Sequence, residues 1–361
     1  MNNAQVSRLV LRGYKSIAEC ELELKMLNVL IGANGVGKSN LIGFFRLIGR
    51  ILDEQLQIAV GQAGGPDALL HFGRKTTEEL HAELYFGYNG YDFTLKPTSD
   101  NRMMFAHEAL WWNQYGDWSP HSGHFETYTH AQRGRTRIYN YVVPAMRDWR
   151  LYHFHDTGAS AKIKQIHNIH DNEYLREDAR NLAAFLLRLK KNHTKHYQRI
   201  VKAIRLVAPF FGDFHLRPTP DNPEKIQLEW TESGQDEPFT ASALSDGTLR
   251  FICLATVLLQ PEDYMPTTVL IDEPELGLHP FAINTLAGLM RSAAQRHQLI
   301  ISTQSVELVN NFTLDDLIIV DKKDGASIFS RHSSEEFTAW LEEYSLGDLW
   351  KKNLLGGRPS K

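Results

Sequence analysis

The run Gly32-Ala33-Asn34-Gly35-Val36-Gly37-Lys38-Ser39 constrains this chain more than any other stretch, because it fits G-x-x-x-x-G-K-[ST]. A loop of this pattern turns backbone N–H groups inward on a polyphosphate, places its lysine on the β and γ oxygens, and offers its last hydroxyl to Mg²⁺. It works only between a buried strand and a helix N-terminus, whose unpaired N–H groups and dipole favour an anion. The flanks meet that demand. Residues 21–31 read as a strand ending in the apolar run Leu27 to Ile31, as a buried parallel strand requires. From Lys38 to about Val60 the apolar positions Leu41, Ile42, Phe44, Phe45, Leu47, Ile48, Ile51 and Leu52 recur at helical spacing. Gly32, Ala33, Asn34, Gly35, Val36, Gly37, Lys38 and Ser39, with Asn40 beside them, are therefore the candidate phosphate-binding residues.

The rest of the chain supplies a matching alternation. Residues 6–11 read as a strand. From Gly61 to about Val143 aromatics and turn residues (GQAGGP, GYNGYD, KPTSDN) alternate with strand-like pieces at 80–88, 91–96 and 103–113, which suggests an antiparallel lobe. Residues 175–208 are helical by period, with a break near Asn192 to Thr194. After a strand at 225–230 come a helix from Gly247, a strand at 267–272, a helix at 280–296 and strands at 298–302 and 316–321. The expected class is α/β, with residues 1–60 and 209–361 forming one core and residues 61–208 inserted as a β-rich and helical lobe.

Composition narrows the setting. With 42% hydrophobic residues in 361, a large core is available and disorder as the main state is excluded. Two cysteines, Cys20 and Cys253, cannot make a disulfide framework or a Cys₄ zinc site and suit a reducing, cytoplasmic compartment. The start MNNAQVSRLVLRG has no apolar signal core, and the run Phe251 to Leu259 is far shorter than the roughly 18 residues a membrane span needs, so no membrane role is expected. A net charge of −4 names no partner.

Two further constellations carry chemistry. Thr268-Val269-Leu270-Ile271-Asp272-Glu273 is an apolar strand ending in two carboxylates. Beside a phosphate loop, Asp272 suits the Mg²⁺ water shell, shared with Ser39, and Glu273 suits orienting the attacking water. By itself the pattern is equally an ordinary solvated strand end. Ala243-Leu244-Ser245-Asp246-Gly247-Thr248 opens a helix, so Ser245 and Gly247 offer a hydroxyl and backbone donors to an anion, although alone Ser245 is simply a good N-cap.

Together these residues resemble the ABC-type ATPases of the SMC/RecF type. LRGYKSI before the phosphate loop is similar to the family's nucleotide-contacting β-turn, LSDGT to its signature, and IDEPELGLHP to its Walker B strand and D-loop. EPELGLHP, ISTQS and LEEYSLGDLWKKNLLGGRP resemble more closely the stand-alone predicted ATPases called AAA-21 or OLD/RecF-like. The resemblance implies an ABC-type P-loop NTPase head that works as a homodimer, with two ATPs and Mg²⁺ held head to tail between protomers. Lys38 and Ser39 of one protomer would hold each ATP, Ser245 and Gly247 of the other would close it, and Lys15 and Ser16 would contact ribose and phosphate. Lys38, Glu273 and Gln304 are the implied catalytic set. Gln304 departs from the histidine usual at its position; glutamine hydrogen-bonds a γ-phosphate but carries no proton or charge near neutral pH, which implies slow hydrolysis and a long-lived switch.

No sustained heptads occur, so a coiled-coil arm is not expected. The short stretch after Gln304 leaves no room for an OLD-type nuclease domain, which points to a separate effector, nuclease or toxin-like. The implied function is a nucleotide switch in nucleic-acid surveillance or anti-phage defence. A RecF-like DNA-repair clamp and a slowly hydrolysing scaffold for a toxin-like partner are the alternatives.

Three weaker signals remain. Ala179 to Gly212 contains no acid, and Arg188, Lys191, Lys195, Arg199 and Lys202 share one face if the helix is continuous; such a stripe can neutralise DNA or RNA phosphates or simply be a solvated face. His153-Phe154-His155-Asp156 and the pairs His121/His124, His167/His170 and His193/His196 lack a further ligand at metal-site spacing. Asp321-Lys322-Lys323-Asp324 is similar to the guanine-reading motif of GTPases but lacks its asparagine, which argues for adenine. A Q-loop glutamine is not singled out; the segment Trp149 to Thr157 and Gln165 lie in the right region.

Overall fold

The computed structural model describes residues 5–113, 116–134 and 137–357. Two compact units emerge, one of Met1–Trp149 with Thr313–Lys361, the other of Arg150–Phe312.

In the first unit a six-stranded antiparallel sheet runs in the order Ile17–Glu23, Arg8–Tyr14, Leu80–Phe86, Asn89–Pro97, Met103–Trp112, Gly116–His121. Its registers set Leu9 opposite Leu22 and Leu84, and Leu84 opposite Tyr91. Leu80, Ala82, Leu84 and Phe86 alternate onto one buried face, as a half-covered sheet requires. Phe86 stacks on Trp149 at 6.1 Å, and Phe45 meets the same indole edge-on at 5.0 Å, which seats the helix Lys38–Leu52 on the sheet. Leu27–Ile31 is buried throughout and pairs in parallel with Leu317–Lys323, which forms an antiparallel hairpin with Ala326–Ser330.

The segment 21–31, expected as one strand, is two: Ile17–Glu23 turns back on Arg8–Tyr14, and Leu27–Ile31 begins anew after a loop closed by Asn28, whose side chain accepts from Lys25 N at 2.9 Å. The helix expected to reach Val60 stops at Leu52. Glu54 takes a left-handed φ of 57°, and a second helix, Leu56–Ala63, starts where the Glu126 carboxylate accepts from Leu56 N (2.7 Å) and Gln57 N (3.0 Å). A cap supplied from 70 residues away decides that boundary.

In the second unit Gln298–Thr303, Thr268–Asp272 and Arg150–Tyr152 lie parallel in that order. Around them pack the helices Leu182–Asn192, Thr194–Val207, Asp246–Leu259 and Pro280–Ala293. Two small antiparallel sheets complete it, Phe211–Phe214/Glu229–Glu232/Pro238–Thr240 and Pro218–Thr219/Asn222–Ile226/His167–Asn168. Helix begins at Leu182 rather than 175, because Asn181 holds the preceding loop through Arg176 N, Asp171 O and Tyr174 O. It breaks at His193, which closes one helix and opens the next at φ −136°, ψ 51°.

The α/β class holds, with parallel strands in both units and an antiparallel sheet in the first. Contacts divide the chain at places other than residues 60 and 208. Arg8–Tyr14 pairs with Leu80–Phe86, which draws the antiparallel strands to the chain's beginning, while Thr194–Val207 packs on Asp246–Leu259. Among the described residues no helix is long and apolar enough to cross a membrane.

Candidate functional site

In the first unit the strand Leu27–Ile31 delivers the chain to Gly32, where a Cβ would collide with the carbonyl of Val320. Gly35 (φ 79°) and Gly37 (φ 112°) are left-handed, a conformation glycine adopts without strain. Gly37 is the N-cap of Lys38–Leu52; the helix has no side-chain cap and no acid in its first turn, so its N-terminal field is not cancelled. Lys38 is buried and bends back over the loop, its Nζ donating to Gly32 O (2.6 Å) and Ala33 O (2.9 Å). Both acceptors are neutral carbonyls, and an anionic oxygen is the stronger partner. Asn34 and Ser39 are exposed, and Asn40 Nδ2 donates to Ser16 Oγ at 2.7 Å.

Lys15 and Ser16 form the turn between the first two strands. Lys15 is held at φ 47° by its N–H on Leu69 O (2.8 Å) and its carbonyl against His71 Nδ1 (2.7 Å). Burial, then the neighbouring Arg46 charge, pull the Lys15 ammonium below the usual lysine range.

In the second unit Asp272 and Glu273 end the strand Thr268–Asp272. Asp272 Oδ1 is buried with no hydrogen-bond partner among the described residues, and so are Ser302 Oγ and Glu275 Oε2. Unmatched hard oxygens of this kind fit Mg²⁺ or its water shell, and an imidazole, His155, contacts the Asp272 carbonyl at 3.1 Å. Glu273 stands at φ 45°, an outlier fixed by its N–H on Ser302 O at 2.8 Å. Its Oε1 accepts from Gln304 Nε2 at 3.2 Å, so these two predicted residues do meet. Glu275 Oε1 accepts from Thr303 Oγ1 (2.6 Å) and Gln304 N (3.2 Å). Burial, helped by the Glu273 charge, pushes the Glu275 carboxyl up.

Ser245 caps the helix Asp246–Leu259, its Oγ accepting from Thr248 N at 3.2 Å, and Gly247 lies so close to Gly277 that a Cβ would strike its carbonyl. The basic stripe is divided by the break at His193. Arg188 turns onto Tyr264 Oη (3.2 Å) and Asn172 O (3.3 Å), whereas Lys191, Lys195, Arg199 and Lys202 are exposed. His124 bonds Glu108 at 2.8 Å, His193 the Tyr264 hydroxyl at 3.0 Å, and among the described residues no three His, Cys, Asp or Glu side chains converge as a metal site. Gln165 is exposed and donates to Ser160 O at 2.8 Å. Asp321 holds Gly357 N at 3.3 Å and Asp324 forms the left-handed hairpin turn (φ 51°), which gives the Asp321–Asp324 segment a structural task.

Four residues were not visible as site residues in the sequence: Ser327, Gly357, Glu275 and Arg250. The first two reach the phosphate loop from about 300 positions away, where no motif spacing applies. Glu275 was in view in the EPE triplet, but which acid does what is decided by folding.

The family described as AAA domain, putative AbiEii toxin, Type IV TA system (AAA_21) matches residues 27–310. The Old nuclease of Escherichia phage P2 is 28% identical over 195 residues, 49% of this chain and 33% of that protein, so the match spans a third of the relative's length. An SMC head bound to the C-winged helix domain of ScpA aligns with a TM-score of 0.60 at 19% identity, over 92% of this chain and 99% of that one. An Smc head domain with an extended coiled coil, bound to the C-terminal domain of ScpA and derived from Pyrococcus furiosus, gives 0.58 at 17% over 94% and 98%. These structures establish the fold, that of an SMC-like ABC ATPase head. The family match takes in the phosphate loop, the LSDGT helix start, Asp272, Glu273 and Gln304. The chain therefore belongs to the AAA_21 family of ATPases.

Proposed function

We propose that the chain binds Mg·ATP at Gly32–Ser39 and hydrolyses it to ADP and phosphate, acting in the cytoplasm as a nucleotide-dependent switch. One observation carries this reading: the buried Lys38 arches over a glycine loop at the uncapped, acid-free N-terminus of its helix. The loop N–H groups and Lys38 bind the phosphates. Ser39 and Asp272 are the residues that would hold Mg²⁺, which neutralises charge on the transferred phosphoryl group. Glu273 orients and polarises the attacking water. Gln304, whose amide already donates to Glu273, keeps that carboxylate aimed and hydrogen-bonds the γ-phosphate without supplying a proton. Ser245 and Gly247 close the nucleotide of a second protomer, so ATP pairs two chains and hydrolysis parts them. The likeness to the Old nuclease of Escherichia phage P2 supports a role in phage-related or nucleic-acid surveillance, in which an effector protein, nuclease or toxin-like, would be the partner.

A second reading, direct binding of DNA or RNA as in a RecF-like clamp, is favoured by Lys191, Lys195, Arg199 and Lys202, all exposed and none in an ion pair among the described residues.

Phosphate release from Mg·ATP tests the first reading. Lys38→Ala should abolish nucleotide binding, and Glu273→Gln should keep binding, lose turnover and accumulate an ATP-bound dimer in light scattering. Turnover unchanged in Lys38→Ala would refute it.

A further inference from the structure

Residues 317–357 hydrogen-bond to the phosphate loop through Ser327 and Gly357, and at Ser327 the order of protons can be deduced. The strand Ala326–Ser330 places Ser327, 2% exposed, against the loop. Its hydroxyl donates to Val36 O at 2.5 Å. Ser327 Oγ also lies 2.6 Å from Ser16 Oγ, and Asn40 Nδ2 lies 2.7 Å from that same Ser16 Oγ. A hydroxyl has one proton, and an amide NH₂ group only donates. Because the Ser327 proton is committed to Val36 O, Ser16 must donate to Ser327, and Ser16 in turn accepts from Asn40. The relay has one direction, from the Asn40 amide through Ser16 and Ser327 to the Val36 carbonyl.

Its consequence lies on the other side of the peptide. The Val36–Gly37 bond is trans, so the C=O of Val36 and the N–H of Gly37 point in opposite directions. Turning the carbonyl onto Ser327 turns the Gly37 N–H away from the hairpin. Gly37 takes φ 112° and ψ 8°, and a Cβ there would strike both the Ser327 and the Ser16 hydroxyls, so the relay and the glycine require each other. A second anchor holds the loop's other end: Ala33 N donates to Gly357 O at 2.9 Å, and Gly357 N donates to Asp321 Oδ2 at 3.3 Å.

We propose that Ser327 is a positioning residue of the phosphate loop, whose hydroxyl, ordered by Ser16 and Asn40, sets the Val36–Gly37 peptide so that the Gly37 N–H is offered to a phosphate before nucleotide arrives. It rests on the reading that Gly32–Ser39 holds a nucleotide. The gain is preorganisation: a loop already turned spends no binding energy on ordering. Ser327 stands 291 residues from Val36 in sequence, outside the phosphate-loop motif.

The test is Mg·ADP affinity by isothermal titration calorimetry for the full chain, with melting temperatures taken without nucleotide. Ser327→Ala should bind about tenfold more weakly, because Val36 O loses a buried partner. Adding Ser16→Ala should weaken binding by no more than about twofold further, since members of one relay act as a unit. A serine that only supports the fold lowers the melting temperature and leaves affinity alone. Ser327→Ala within about twofold of the unmodified chain, while Lys38→Ala fails to bind, overturns the proposal and leaves the nucleotide reading standing. Losses from Ser327→Ala and Ser16→Ala that multiply in the double variant also overturn it. If the unmodified chain takes up no Mg·ADP, both readings fall. Should Ser327→Ala not fold, Asn40→Ala removes the first donor of the relay, and unchanged affinity there overturns the proposal.

Discussion

Arg250→Lys keeps a positive charge and should still destabilise the second unit by about 3 kcal/mol. Arg250 lies on the helix Asp246–Leu259 and is 9% exposed. Its guanidinium ties two segments to that helix. Nε donates to Phe154 O at 2.8 Å and Nη2 to His155 O at 3.0 Å, while Nη1 donates to Leu276 O at 2.8 Å. A planar fork serves three acceptors in three fixed directions, whereas an ammonium gathers its donors on one atom. Of these three bonds one is buried and two are part-buried; lysine can keep one and leaves the other two carbonyls without a charged donor. Each bond from a charged donor contributes about 1.5–3 kcal/mol, and partial relaxation sets the net loss near the lower end of the pair's sum, about 3 kcal/mol. For a unit of this size that is a fall in melting temperature of about 6–12 °C by scanning calorimetry. The segments concerned carry Asp272 to Leu276 and the helix start with Ser245 and Gly247, so nucleotide turnover should fall along with stability. Arg250→Lys melting within about 2 °C of the unmodified chain would show that the three carbonyls find other donors, and the fork argument would be wrong.

Two other predictions concern charge. Burial pushes the Glu108 carboxyl up, but donors on His124 (2.8 Å), Thr127 (2.5 Å), Tyr91 (2.6 Å) and the Tyr128 N–H (2.7 Å) outweigh it and hold it below the usual range. A depressed carboxyl stabilises the fold above its unfolded value, near 4.5, and that contribution is lost as pH falls through the folded value. Glu108→Gln should therefore cost about 1–3 kcal/mol at neutral pH, with the gap in melting temperature narrowing as pH falls below the unfolded value and through the folded one; a gap independent of pH would refute this account. If nucleic acid binds along the helix face, neutralising Lys191, Lys195 and Arg199 should lower the slope of log affinity against log salt by about 3 for duplex DNA, and an unchanged slope would remove those residues from any interface.

The parts of the site that depend on adjacent residues were legible before folding. Gly32 to Ser39 is one loop, and its strand and helix are encoded between Leu27 and Leu52 by apolar runs and period, so Lys38 and its helix stand where the motif requires. The Asp272 and Glu273 strand end was legible for the same reason. Element ends were less so. The first helix stops at Leu52 because Glu126 caps the next one; the break expected near Asn192 to Thr194 does fall at His193, but the ring contact there with Tyr264 Oη at 3.0 Å joins distant residues. Neither partner can be paired with its target by local pattern.

Residue identity alone thus determined the glycine-rich loop pattern, since glycine's freedom at positive φ, a lysine and a hydroxyl are properties of the residues and their spacing. Tertiary structure alone decided which distant groups hold that loop and the candidate site's other segments in place. Ser327 and Gly357 reach the loop across about three hundred residues, Glu275 takes the Thr303 hydroxyl and the Gln304 N–H, and Arg250 ties Phe154, His155 and Leu276 to one helix. The reason is physical: a buried carbonyl or N–H must find a partner, but the requirement says nothing about where along the chain that partner lies.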